Sequence, residues 1–141
     1  MKSKISLLLL FLLMLVSSAQ AQTQTNNANL QGKETPEAVV DLQLEAYNAR
    51  DIDLFVSTYT EDIEIYDSKG VLTMKGHEQL RKRYDALFKN TPNLHCRIVN
   101  RILINNKVID NENVTMNERI VEAVAIYEVV DGKIKKVTFV N

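Results

Sequence analysis

The side chains with chemical potential are few. Asp67 ends an alternating run, Ile63-Glu64-Ile65-Tyr66-Asp67, and precedes Ser68-Lys69-Gly70. Two roles are open to it: a strand-end Asp that bonds the backbone of its own turn, or an acid–base group at the mouth of a pocket. Glu112, in Ile109-Asp110-Asn111-Glu112, is either an exposed strand residue or a pocket-facing acid. Tyr59 and Tyr127 are either core rings whose hydroxyls reach solvent or a neighbour, or donors on a pocket wall. His95 and Cys96 are adjacent, so in a strand they point to opposite faces and form no Cys–His nucleophile pair. Cys96 follows the apolar set and is expected to be buried and unreactive. His77 stands at a helix start, where capping and solvent contact are the default. With two histidines and one cysteine, neither a metal site nor a disulfide is expected, and no cofactor.

The elements that position these groups are readable from periodicity. Thr35-Pro36-Glu37 starts a helix, with Thr as N-cap and Pro at the first helical position. Val39, Leu42 and Ala46 form its stripe, widened by Val40, Leu44 and Tyr47, and it ends at Asn48-Ala49-Arg50. Asp51 caps a short second helix. Ile63–Asp67 is a strand, and Val71–Met74 a short partner. Gly76–Asn90 is a helix in which Leu80, Tyr84, Leu87 and Phe88 share a face and the basic trio Arg81, Lys82 and Arg83 faces water. The remainder is β. Leu94–Ile104 alternates, with Leu94, Cys96, Ile98, Ile102 and Ile104 on one face and His95, Arg97, Val99, Arg101 and Leu103 on the other. Val108–Thr115, Ile120–Val130 and Ile134–Val140 follow, the last two joined at the hairpin signal Asp131-Gly132. Segregated helices and a long antiparallel meander make an α+β domain whose curved sheet leaves a small-molecule cavity. Ala123, Ala125 and Tyr127 share the face expected to look into it.

The 141 residues are 45% hydrophobic and 25% charged, which describes one ordinary globular domain. A net charge of −1 argues against nucleic acid, which demands a basic excess. Residues 1–21 read as a secretory signal peptide: Lys2 and Lys4 precede an apolar stretch, and Ala19-Gln20-Ala21 suits cleavage after Ala21. The alternative, a membrane anchor, needs about 20 apolar residues, which the stretch lacks. Cleavage leaves 15 of the 17 basic residues against 18 acidic ones. The expected product is exported, periplasmic or secreted, with no stable membrane anchor. Residues 22–34 are polar and read as a flexible leader, and 35–141 as the folded domain.

Three stretches carry a family resemblance: Ala46-Tyr47-Asn48-Ala49-Arg50-Asp51-Ile52-Asp53, Tyr59-Thr60-Glu61-Asp62-Ile63-Glu64-Ile65-Tyr66-Asp67, and Ala125-Ile126-Tyr127-Glu128-Val129-Val130-Asp131-Gly132-Lys133-Ile134. Val108–Thr115 adds a fourth. They resemble the nuclear transport factor 2-like superfamily, in its SnoaL-like and ketosteroid isomerase-like branch. The resemblance implies a cone-shaped barrel of N-terminal helices wrapped by a curved, mostly antiparallel sheet of cystatin-like topology. It places Asp67 at the position of the isomerase general base, as the catalytic residue. The positions of the two oxyanion donors hold Gln43 and, on or near it, Ala125, so the familiar steroid mechanism is not implied. Two functions stay open. One is an isomerase- or cyclase-type enzyme on a small hydrophobic carbonyl compound, with Asp67 as base and Tyr59, Glu112 and Tyr127 contacting substrate. The other is a non-catalytic small-molecule-binding or interaction module. The outer sheet face is expected to form a homodimer.

Overall fold

The structure is a computed structural model that describes residues 34–140. The expected signal peptide, and the leader apart from Glu34, lie outside the described residues. Helix α1 (Pro36–Ala49) starts where Thr35 accepts a hydrogen bond from the Ala38 N–H at 3.1 Å. It stops where Arg50 turns left-handed at φ 58° and bonds back to the carbonyls of Ala46 and Tyr47. Helix α2 (Ile52–Ser57) is capped by Asp51, whose Oδ1 accepts from the Leu54 N–H at 3.0 Å. Helix α3 (Gly76–Asn90) begins at Gly76, whose φ of 81° only glycine adopts without strain.

Six strands form one open sheet: β1 (Tyr59–Tyr66), β2 (Leu72–Lys75), β3 (His95–Ile104), β4 (Lys107–Met116), β5 (Arg119–Val130) and β6 (Lys133–Val140). Their order is β2-β1-β6-β5-β4-β3, with β1 and β6 parallel and every other pair antiparallel. The sheet is curved and wraps its helices without closing, so the α+β expectation is met by an open sheet. Between sheet and helices sit Val39, Val40, Phe55, Ile63, Leu80 and Val108, each fully buried or nearly so. Asn48 ties α1 to β3 as a strand would. Its Nδ2 donates to the Cys96 carbonyl at 3.0 Å, and its Oδ1 accepts from the Cys96 N–H at 2.7 Å. The Asp131-Gly132 hairpin has φ of 50° and 74°, as a primed turn requires.

One expected face is corrected. The pairing of β3 with β4 slips between Ile98 and Asn100, leaving Val99 as an extra residue. A one-residue slip exchanges the faces of everything beyond it. Leu94, Cys96 and Ile98 do face the helices, but Ile102 and Ile104, expected beside them, are about half exposed on the outer face. Arg101, expected outside, turns inward, where its Nε and Nη2 grip both oxygens of Asp110 at 2.7 and 2.8 Å. Asp110 is 1% exposed. The guanidinium also reaches Asp41 on α1, so this pair fastens α1 to the sheet.

Candidate functional site

The inner face of β4 runs Val108, Asp110, Glu112, Val114, Met116, so two acids interrupt an otherwise apolar face. Asp110 is matched by Arg101. Glu112 instead projects into a cavity of about 150 Å³ between α1, α3 and the sheet. Its walls are largely apolar and aromatic, with Tyr47, Tyr59, Tyr84 and Tyr127 supplying rings and Val114, Val137 and Phe139 aliphatic and aromatic surface. The rings are mutually braced. Phe55 stacks tilted on Tyr84 at 4.5 Å and on Tyr59 at 5.1 Å, while Tyr47 meets Tyr84 edge-on at 6.2 Å.

Glu112 is 6% exposed. Burial disfavours its charged form and raises its pKa from 4.5 to about 7, with the nearby Asp110 carboxylate adding to the rise. Opposing this, the Tyr127 hydroxyl donates to Glu112 Oε1 at 2.8 Å. Arg101 and the Cys96 thiol also favour the ionised form. Glu112 is therefore poised to hold or release a proton at neutral pH. Burial and the Glu112 charge hold the Tyr127 hydroxyl well above its ordinary value. Tyr59 is likewise raised, chiefly by burial, and the Gln43 amide lies against its hydroxyl.

Three of the four expected site residues meet here: Tyr59, Glu112 and Tyr127 all line the cavity. Asp67 does not: the structure places it outside the cavity at whose edge it was expected. Its Oδ1 accepts from the N–H groups of Lys69 and Val71, both at 2.9 Å, so the carboxylate holds the β1–β2 turn together. Ala123 lines the cavity as expected, whereas Ala125 is buried in the core beside it. Cys96 is buried at the cavity wall and its thiol is pushed up to about 12, mainly by burial. That keeps it protonated and unreactive. His95 is exposed on the opposite face of β3, and His77 bonds the Tyr59 carbonyl through Nε2 at 3.0 Å.

The site also uses Gln43, which the resemblance set at the position of an oxyanion donor, and Tyr47 and Tyr84, which the sequence did not mark for it. A signal existed for Gln43. It is a polar residue on the buried stripe of α1, with Val39, Val40 and Ala46. Among the described residues no group of three or more His, Cys, Asp or Glu is arranged to hold a metal ion.

The profile of the SnoaL-like domain matches residues 40–137. Among solved structures, an uncharacterised cystatin-fold protein from Novosphingobium aromaticivorans is similar with TM-score 0.72 and 25% identity, over 77% of this chain and 99% of that one. A candidate ketosteroid isomerase from Kribbella flavida is similar with TM-score 0.65 and 17% identity, over 77% and 78% of the two chains. A candidate polyketide cyclase from Sinorhizobium meliloti is similar with TM-score 0.63 and 16% identity, over 72% and 92%. No curated protein matches the chain.

Proposed function

Because the chain belongs to the SnoaL-like domain family, within the nuclear transport factor 2-like superfamily, we propose that it is an isomerase- or cyclase-type enzyme acting on a small hydrophobic carbonyl compound. Glu112, rather than Asp67, is the acid–base group. One observation carries the reading: a carboxyl group buried in an apolar cavity, bonded to Tyr127 and with its pKa raised to about 7. As carboxylate it takes the proton from the carbon next to a carbonyl. As carboxylic acid it returns the proton to the resulting enolate, at the same carbon or, where a conjugated double bond makes a dienolate, at the γ-carbon. The Tyr59 hydroxyl is a further donor on the wall for the developing oxyanion.

A second reading is a binding module that holds such a compound without chemistry. It is favoured by Glu112 being the single carboxylate among the lining residues. The two separate on Glu112→Gln. The enzyme is expected to catalyse hydrogen–deuterium exchange at the α-carbon of an enolisable ketone, and the variant to lose at least about 100-fold of that rate while still binding the ketone. Exchange no faster than in buffer, or equal in native protein and variant, overturns the enzyme reading.

We also propose a homodimer through the outer sheet face. Its support is a row of Ile102, Ile109 and Ile126 in register across β3, β4 and β5. Beside the row, Glu128 is flanked by Lys107 at 2.8 Å and Lys136 at 3.9 Å. Sedimentation is expected to give a dimer at about 50 μM protein, and Ile102→Lys to weaken it. A monomer of the native protein at that concentration removes the proposal.

A further inference from the structure

We propose that the cavity accepts a compound with a single ring and one hydrogen-bonding oxygen, and excludes fused-ring ketones. The proposal rests on the reading of Glu112 as the cavity's acid–base group and names the class of compound it acts on. The first support is size. The cavity measures about 150 Å³, and an apolar protein cavity of that volume holds a molecule of the size of benzene. The second is the stiffness of its walls. Tyr59, Tyr127 and Val137 are each at most 4% exposed, and the rings of Tyr59 and Tyr84 pack against Phe55. Enlarging such a wall for a second ring costs packing on every side.

The third support is a partition. Ile65, Tyr84 and Phe139 line the cavity and also line a separate outer recess, which is completed by Thr73, Met74 and Arg83. These three side chains stand between the two spaces, so a second fused ring directed toward the recess would have to occupy the place of Phe139 or Tyr84. The fourth support is polarity. Glu112 and Tyr127 put the acid and its bonded hydroxyl together, against rings and aliphatic side chains. A ligand with its carbonyl oxygen at the Tyr59 hydroxyl, its α-carbon at Glu112 and carbon elsewhere satisfies those walls without burying a second unpaired polar group.

Amide NMR titrations of the full protein with cyclohex-2-en-1-one, 2-tetralone and testosterone test the class. Cyclohexenone is expected to produce saturable shifts at Glu112 and Tyr127. 2-Tetralone is expected to bind at least about tenfold more weakly, and testosterone not to enter. Phe139→Ala opens the partition and is expected to bring 2-tetralone to within a few-fold of cyclohexenone. Phe139→Leu, which keeps most of the wall and the fold, is expected to leave the native order. Native protein that binds 2-tetralone or testosterone as tightly as cyclohexenone overturns the proposal, as does the absence of saturable cyclohexenone binding. Failure here is distinguishable from failure of the acid–base reading. α-Proton exchange on a steroid ketone that Glu112→Gln abolishes would keep the base and remove the single-ring class.

Discussion

Arg101→Ala is expected to lower the stability of the domain by about 3–5 kcal/mol, the usual cost of breaking a buried ion pair from one side. Asp110 is 1% exposed and Arg101 grips both its oxygens, so the variant leaves a carboxylate buried without its guanidinium. It also releases Asp41 on α1 from β3. For a domain of roughly 100 residues a loss of this size lowers Tm by more than about 10 °C. Replacing both partners, with Arg101→Met and Asp110→Leu, is expected to recover much of the loss, because apolar groups of similar volume bury no charge. Thermal melts check both. A decrease below about 1 kcal/mol for Arg101→Ala would place the pair with exposed ion pairs and contradict the burial argument.

Glu112 is expected to make the domain less stable as pH rises. Its pKa is 4.5 as an ordinary carboxyl and about 7 in the folded protein. Between those values the folded chain holds a proton that the unfolded chain has released. Stability therefore falls from about pH 4.5 to about pH 7, and the penalty is constant above that range. At 1.36 kcal/mol per pKa unit its full size is about 3 kcal/mol. Glu112→Gln has no such proton to lose. Its stability relative to the native protein is expected to rise by about 3 kcal/mol across the window, read from denaturation at pH 4.5 and pH 8. A native-minus-variant difference that does not change with pH would contradict the raised pKa.

The fold was legible because local signals and global order agree in this chain. Thr35-Pro36, Asp51 and Asp131-Gly132 each act through their own backbone, and all three do as their residue types dictate. The strand faces were legible only up to Val99. The alternating set Leu94, Cys96, Ile98, Ile102, Ile104 is interrupted by Asn100, while Val99 and Leu103 are apolar on the other set, so the pattern does not locate the slip until the partner strand is known. The site divided along the same line. Tyr127 sits on an alternating strand whose inward set was clear, whereas Tyr59 falls before the strand read over residues 63–67 and opens β1 instead. Asp67 satisfied two descriptions at once, and its choice depended on unpaired N–H groups at Lys69 and Val71 that only the folded turn presents. Glu112 carried its own mark: with Asp110 it puts two acids on the inward set Val108, Asp110, Glu112, Val114. Buried acids are rare unless paired or functional, and Arg101 turns inward to pair with only one of them.

Proton transfer in this cavity depends on the state of the Glu112 carboxyl. Carbon-13 NMR of the side-chain carboxyl in the native protein, followed from about pH 3 to pH 9, measures it without a substrate. The expected result is a titration midpoint at about 7, with the signal still that of the carboxylic acid at the pH where ordinary glutamates have ionised. A midpoint at the ordinary 4.5 would mean that Glu112 is ionised throughout the neutral range, and would contradict its role as the proton carrier of this cavity.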